Sequence, residues 1–219
     1  MTLQAALGMT ANQHYLVSPK NLVVEGVNDF WIITELSNLF ERSEQLGLPD
    51  DVCLTAAGGA SEVVYMATFM IGQDLEVVAL FDSDKEGKSQ EEKLRTKWLT
   101  LYKERKSATL LLGNAIGENR ETAIEDIFTE DYYISKVQES HKQKLKENGI
   151  NEIKLLPGEL LKDRVARTLQ QHGVQFNQGS VAKLIRKDLA KKKKVGELGE
   201  YTLDKANKLL TSIREAFSK

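Results

Sequence analysis

Cysteine is almost missing from this chain of 219 residues. Cys53 stands alone, which excludes a disulfide framework and any cysteine-built zinc site and fits a reducing, cytoplasmic setting. Histidine is scarce too: His14, His141 and His172 lie far apart with no paired spacing, so neither a histidine metal site nor histidine acid–base catalysis is supported. Three prolines and fifteen glycines are too few for a collagen-like or low-complexity chain. No stretch approaches about 18 consecutive apolar residues, so none is expected to span a bilayer. Met1 to Ala11 lacks a basic region followed by a long apolar core, so no secretory signal is read there.

What is present is globular. Hydrophobic residues make up 41% and charged residues 28%, enough for a sizeable core in one domain, or one domain with a smaller satellite. The net charge of −2 conceals a segregation. Residues 141–194 carry 14 Lys+Arg against 5 Asp+Glu, leaving 16 basic and 27 acidic residues elsewhere. An acidic first part joined to a basic later part is what a metal-using enzyme acting on a polyanion needs, although two solvated surfaces that drifted apart in charge would look the same.

Four short apolar runs precede residue 115: Asn21 to Val24, Val52 to Ala56, Leu75 to Phe81 and Ala108 to Leu112. Each reads as a strand buried on both faces. Between them lie amphipathic stretches at Phe30 to Gln45, Val63 to Ile71 and Glu86 to Arg105, so the spacing predicts a parallel α/β sheet with right-handed crossovers. A loop is expected at Gly113 to Glu121. Helices are then predicted over Tyr132 to Glu147, Pro157 to Gln171, Val181 to Lys194 and Leu203 to Phe217, the last capped by Thr202. This gives an amphipathic lead-in over 1–19, an α/β domain over 20–135 and a basic helical domain over 136–219.

Ligands of parallel sheets gather at the carboxyl ends of the strands. The first strand ends Val24-Glu25-Gly26-Val27-Asn28-Asp29, and the third ends Phe81-Asp82-Ser83-Asp84-Lys85-Glu86-Gly87. Asp82 and Asp84 alternate by two and would point the same way on an extended chain. Glu25 and Asp29 are one turn apart if a helix begins near Val27. Converging carboxylates repel unless hard cations neutralise them, and oxygen-only ligands favour Mg²⁺ or Mn²⁺. Any one of these acids also suits a helix cap or a turn.

An apolar strand ending Glu-Gly, followed by another ending Asp-x-Asp, resembles the Toprim domain of topoisomerases, primases and nucleases over residues 20–135. With Gly58-Gly59-Ala60-Ser61 and the stretch from Leu7-Gly8 to Pro19, the chain more closely resembles the C-terminal region of the overcoming lysogenisation defect (OLD) nucleases, on the class 2 branch. The resemblance implies a DNA endonuclease or nickase with two Mg²⁺ or Mn²⁺ ions, Ca²⁺ binding without turnover. Two ions about 3.5–4 Å apart activate water and stabilise the leaving oxygen. Glu25 and Asp29 would serve one ion, and Asp82 and Asp84 the other or both. Thr122 to Phe128 is similar to an Ile-Glu-Asp element of the family and adds Glu125 as a ligand; a helix-start acid beside Asp126 is the plainer alternative. Ser61 and Ser83 are weaker contact candidates. The resemblance further implies an ATPase domain preceding this region in a longer chain, with any homo-oligomer formed through that part.

One departure stands out. The family's helical region supplies a catalytic lysine, and the matching stretch, Phe176 to Lys183, has Gln178 where that lysine is expected. Lys183 is the nearest replacement and Lys187 the next. A migrated lysine, a shifted register and an inactive variant are all open.

Other signals carry less. Gly87-Lys88-Ser89 matches the end of a phosphate-binding loop, but Asp82 stands where the required earlier glycine belongs. Gly58-Gly59 suits a tight turn or an anion-binding one. Trp31 and Trp98 are read as core residues facing the sheet. Lys191 to Lys194 would end a helix or, with Arg186 and Lys187, grip phosphates. Two rival functions remain: a degenerate Toprim that binds DNA or mediates oligomerisation, and a receiver-like or phosphatase-like domain phosphorylated on Asp82.

Overall fold

The structure, a computed structural model, describes residues 18–102 and 107–218. The expected lead-in falls mostly on 1–17, outside the described residues, as does the stretch 103–106 at the end of the expected helix over Glu86 to Arg105. No helix among the described residues is long and apolar enough to cross a membrane.

The fold is α/β. Strands β1 (Lys20–Val24), β2 (Val52–Ala56), β3 (Glu76–Phe81) and β4 (Ala108–Leu111) form a parallel sheet in the order β2-β1-β3-β4. Helix α1 (Val27–Arg42) connects β1 to β2, and α2 (Ala60–Gly72) connects β2 to β3. The two crossovers step in opposite directions along the sheet, so right-handed connections place α1 and α2 on opposite faces.

Side chains divide with the strand period of two. Leu22, Val24, Val78 and Leu80 join the α1 face, whereas Val23, Val77, Ala79 and Phe81 join the α2 face. Each fully buried Leu, Ile or Phe contributes about 1.5–3 kcal/mol, so a strand apolar on both faces is anchored twice. The later helices pack on the α1 side. They are α4 (Leu112–Ile116), α5 (Glu130–Glu147), α6 (Leu161–Gln171), α7 (Gln178–Lys191) and α8 (Glu200–Ala216), and one apolar cluster runs from Leu22 to Phe217.

Several local expectations are corrected. The helix expected from Glu86 begins as α3 (Lys85–Lys93) but passes into a π turn at Leu94–Trp98 and a 3₁₀ turn at Leu99–Tyr102. Thr96 and Thr100 donate their hydroxyls to the carbonyls four residues back, which bends helices. The loop expected over Gly113 to Glu121 starts as α4 and ends at Gly117, whose φ of +75° suits glycine. Gly199, not Thr202, caps α8, and Thr202 is buried in its first turn. Helix α7 stops at Lys191, and the backbone N–H groups of Lys193 and Lys194 both donate to Glu197 Oε1. Trp98 packs on the α2-side core as expected. Trp31 does not face the sheet: it lies half-buried against α7.

Candidate functional site

The strand order reverses between β1 and β3, so a crevice is expected where their carboxyl ends part. Glu25 leaves β1 there and Asp82 leaves β3. The Asp82 backbone N–H donates to Glu25 Oε1 at 2.9 Å, tying the two strand ends together across the crevice. Gly87 allows this approach, because a Cβ there would collide with the Asp82 carbonyl oxygen and lie 3.2 Å from Glu25 Oε1.

Helix α1 begins at Val27, and the Asp29 carboxylate folds back to accept the Gly26 N–H at 2.7 Å. Asp29 therefore caps its helix and still lines the cavity. On the far wall, the Gly58 N–H donates to the Glu25 carbonyl at 2.8 Å. The positive φ angles of Gly58 (+109°) and Gly59 (+154°) let the chain turn there into α2.

Ser83 organises the opposite side. Its N–H donates to the Thr122 carbonyl at 2.8 Å, and its hydroxyl accepts the Gly113 N–H at 2.7 Å. This ties the segment around Thr122 to the end of β3, and the following 3₁₀ turn, Ile124–Ile127, presents Glu125. Asp126 is structural: it accepts the Ala123 N–H at 2.9 Å and pairs with Arg120 at 3.0 Å.

The result is a cavity of about 530 Å³ lined by Glu25, Asp29, Asp82, Glu125, Lys162 and Gln178 together with Asn28 and the Gly58-Gly59 turn. Lys162, from the first turn of α6, places its ammonium 2.8 Å from Asp82 Oδ2. Gln178, the first residue of α7, donates its amide to Glu125 Oε1 at 2.6 Å. Asn177 caps that helix by accepting the Ser180 N–H, and its own N–H donates to the buried His141 Nε2 at 3.0 Å. The N-termini of α1 and α7 thus both open into the cavity, where their dipoles favour negative charge.

The electrostatics are those of acids short of counter-charge. Burial, then the neighbouring Asp82, pushes Glu25 up to about 7. Burial pushes Glu125 up to about 7 although Gln178 and Lys162 oppose it. Burial, with Asp82 and Glu125 nearby, holds Asp29 well above the ordinary carboxylate range. Burial raises Asp82 as well, against the pull of Lys162. Burial alone would lower Lys162, but the Asp82 charge and hydrogen bond outweigh it, so the ammonium stays charged and the 2.8 Å contact is an ion pair.

Of the residues expected from sequence, Glu25, Asp29, Asp82 and Glu125 come together. Asp84 stands behind them, with one oxygen used to cap α3 through the Gly87 N–H at 2.7 Å. Lys183 is not brought to the carboxylates: it is exposed, five residues into α7, with its ammonium over the Trp31 ring at 5.8 Å. Ser61 does not line the cavity and Ser83 is buried scaffolding. Lys162 was not legible in the sequence, since nothing local marks it apart from the other lysines of its region.

The donor chemistry fits a hard cation. Glu125 Oε2 and Asn28 Oδ1 are buried oxygens with no hydrogen-bond donor among the described residues, and both residues line the cavity. Among the described residues no three acids, histidines or cysteines stand grouped so that they could hold a metal ion as they are placed. The fit is therefore of oxygen type and charge.

No protein-family model and no curated protein sequence matches the chain. Among solved structures, the chain is similar to the C-terminal region of the Burkholderia pseudomallei OLD protein, with 13% identity and a TM-score of 0.49, covering 91% of this chain and 98% of that one. It is also similar to the C-terminal region of the Xanthomonas campestris pv. campestris OLD protein, with 12% identity and a TM-score of 0.45, covering 90% and 95%.

Proposed function

We propose that the cavity is the active site of a divalent-metal-dependent phosphodiester hydrolase acting on DNA. The observation that carries this reading is Glu125 Oε2, a buried carboxylate oxygen without a donor among the described residues, beside three further acids whose charged forms burial disfavours. Such a group is expensive to keep in a fold unless a cation completes it.

Glu25, Asp29, Asp82 and Glu125 would hold Mg²⁺ or Mn²⁺, with Asp84 close behind. A divalent ion supplies charge neutralisation at the phosphoryl oxygens and makes water a stronger nucleophile at neutral pH. This chain's own residues do the rest. Gln178 orients Glu125 by holding one of its oxygens. The N-termini of α1 and α7 favour the anionic phosphodiester. Lys162 is the cation in reach of the reacting group, so the role that sequence reasoning gave Lys183 passes to Lys162.

The test is incubation of supercoiled plasmid with the chain in EDTA, Mg²⁺, Mn²⁺ or Ca²⁺, beside Glu25→Ala and Asp82→Ala. Nicked and linear products in Mg²⁺ or Mn²⁺ alone, absent in both variants, are expected. Folded protein that retards DNA on a gel yet leaves every plasmid intact would instead support a binding module.

A further inference from the structure

Helices α1 and α7 lie side by side and run the same way from the cavity. Trp31 meets Lys183 and Arg186, Glu35 meets Arg186 at 3.4 Å, and Arg42 donates to the Leu189 carbonyl at 3.2 Å. Later residues of one helix thus contact later residues of the other, and both begin at the carboxylates, with Asp29 and Gln178.

Along the outer side of α7 stand Lys183, Arg186, Lys187 and Lys191, all exposed. The acids that border this strip are already engaged. Asp188 accepts from Tyr132 at 2.9 Å and pairs with Lys136 and Lys192, and Glu35 pairs with Arg186. Among the described residues, Lys183, Lys187 and Lys191 have no carboxylate within ion-pair distance. Successive cations at intervals of four residues are spaced about 6 Å apart along the axis, so the strip from Lys183 to Lys191 extends about 12 Å.

Three cations without a carboxylate partner among the described residues, in line along α7 and leading from the carboxylate cavity, match a polyanion of regular charge spacing. Each strand of a duplex carries one phosphate per about 3.4 Å of axis, so the strip spans several phosphates. A lipid surface fits poorly, because no large exposed hydrophobic residue lies on α7 to insert.

We propose that the exposed face of α7, from Lys183 to Lys191, is the track along which a nucleic-acid backbone lies as its phosphodiester enters the carboxylate cavity. The track's direction rests on reading that cavity as a phosphodiester site; binding along α7 does not. The contacts are to phosphates and so are independent of base sequence. Lys183, the first cation of the strip along α7, holds a phosphate beyond the reacting one.

The test is fluorescence anisotropy with labelled duplex DNA, single-stranded DNA and RNA, in EDTA, across a salt series. The wild-type chain is compared with the triple variant Lys183→Gln, Lys187→Gln, Lys191→Gln. The control triple, Lys93→Gln, Lys97→Gln, Lys208→Gln, removes equal charge elsewhere, and thermal melts confirm that all are folded. The α7 variant is expected to lose at least about tenfold in affinity, with the slope of log K against log salt shallower by about 2–3, while the control changes by less than twofold. The substrate showing the larger α7-dependent loss identifies DNA or RNA as the strand.

Restoration by arginine at the same three positions supports the track. Equal losses in both triples, or none in either, overturn it. Cleavage that persists while both triples bind alike removes the track and leaves the hydrolase reading. Binding along α7 by a wild-type chain that never cleaves removes the hydrolase reading and leaves the track.

Discussion

Asp188 on α7 and Glu125 at the sheet edge are acids in the same fold with opposite fates. Asp188 accepts the Tyr132 hydroxyl and pairs with Lys136 and Lys192, which overcome its partial burial and hold it below the ordinary carboxylate range. Glu118 is treated likewise by Lys205 and Arg120. Glu125 receives one amide from Gln178 and, among the described residues, no hydrogen bond on its other oxygen, and burial carries it up to about 7. Where an acid serves the fold, the chain supplies its cations. At the crevice between β1 and β3 it supplies, among the described residues, Lys162 for four acids, and that shortfall is what motivates the proposal of a divalent cation there.

The largest effect should come from exchanging one acid in each region. Glu125→Gln is expected to lower metal-dependent plasmid cleavage on the order of 10²–10³-fold while leaving thermal stability unchanged or raised, because it removes a buried acid whose charged form burial disfavours. Asp188→Asn should do the reverse, losing about 1–3 kcal/mol of stability with cleavage retained. Melting curves and plasmid assays on the two variants check both halves. Equal behaviour of the pair would erase the contrast.

Lys162 sharpens the comparison from the other side. Lys162→Met removes the one cation among the described residues that lines the cavity. Turnover is expected to fall by about a hundredfold, as for other preorganised charge stabilisers. Metal affinity, read by calorimetry, should rise, since Asp82 no longer has an ammonium on its Oδ2. A fall in both would mean that Lys162 only holds the crevice together.

The smallest effect is thermodynamic. Glu25 and Glu125 titrate near 7 when folded against about 4.5 ordinarily, so the folded chain binds more protons than the unfolded chain between those values. Their contribution is fully present below about 4.5 and is lost as pH rises through about 7, a change on the order of a few kcal/mol. In EDTA the melting temperature should therefore decline across that window, and Mn²⁺ should restore it above pH 7. A melting temperature that rises over the same range would contradict the shifts.

How much of this the sequence discloses follows from the range of the interactions. The strands are legible because Asn21 to Val24 and Leu75 to Phe81 are apolar on both faces, and Glu25 and Asp82 are legible because they end those strands. Asp84 is ambiguous because an acid before a helix is also a cap, and the structure uses one of its oxygens in that way. Lys162 and Gln178 reach their partners across 80 and 53 residues, so no local pattern announces them. Lys183 looked suitable as the lysine nearest Gln178, yet five residues of helix rotate it away from the cavity and onto Trp31. The bend after Lys93 and the early stop of α7 depend on side-chain bonds to the backbone from Thr96, Thr100 and Glu197, which hydrophobic periodicity does not encode.

The central claim is that the acids at the sheet edge await a divalent cation. Titration of Mn²⁺ into the wild-type chain and into Glu125→Gln, followed by loss of the free-ion signal in electron paramagnetic resonance, tests it directly. Saturable binding to the wild-type chain, tightening as pH rises through about 7 because the metal displaces protons from Glu25 and Glu125 and weakened in Glu125→Gln, is the predicted result. Identical, pH-independent Mn²⁺ uptake by both proteins, or none by either, would contradict it.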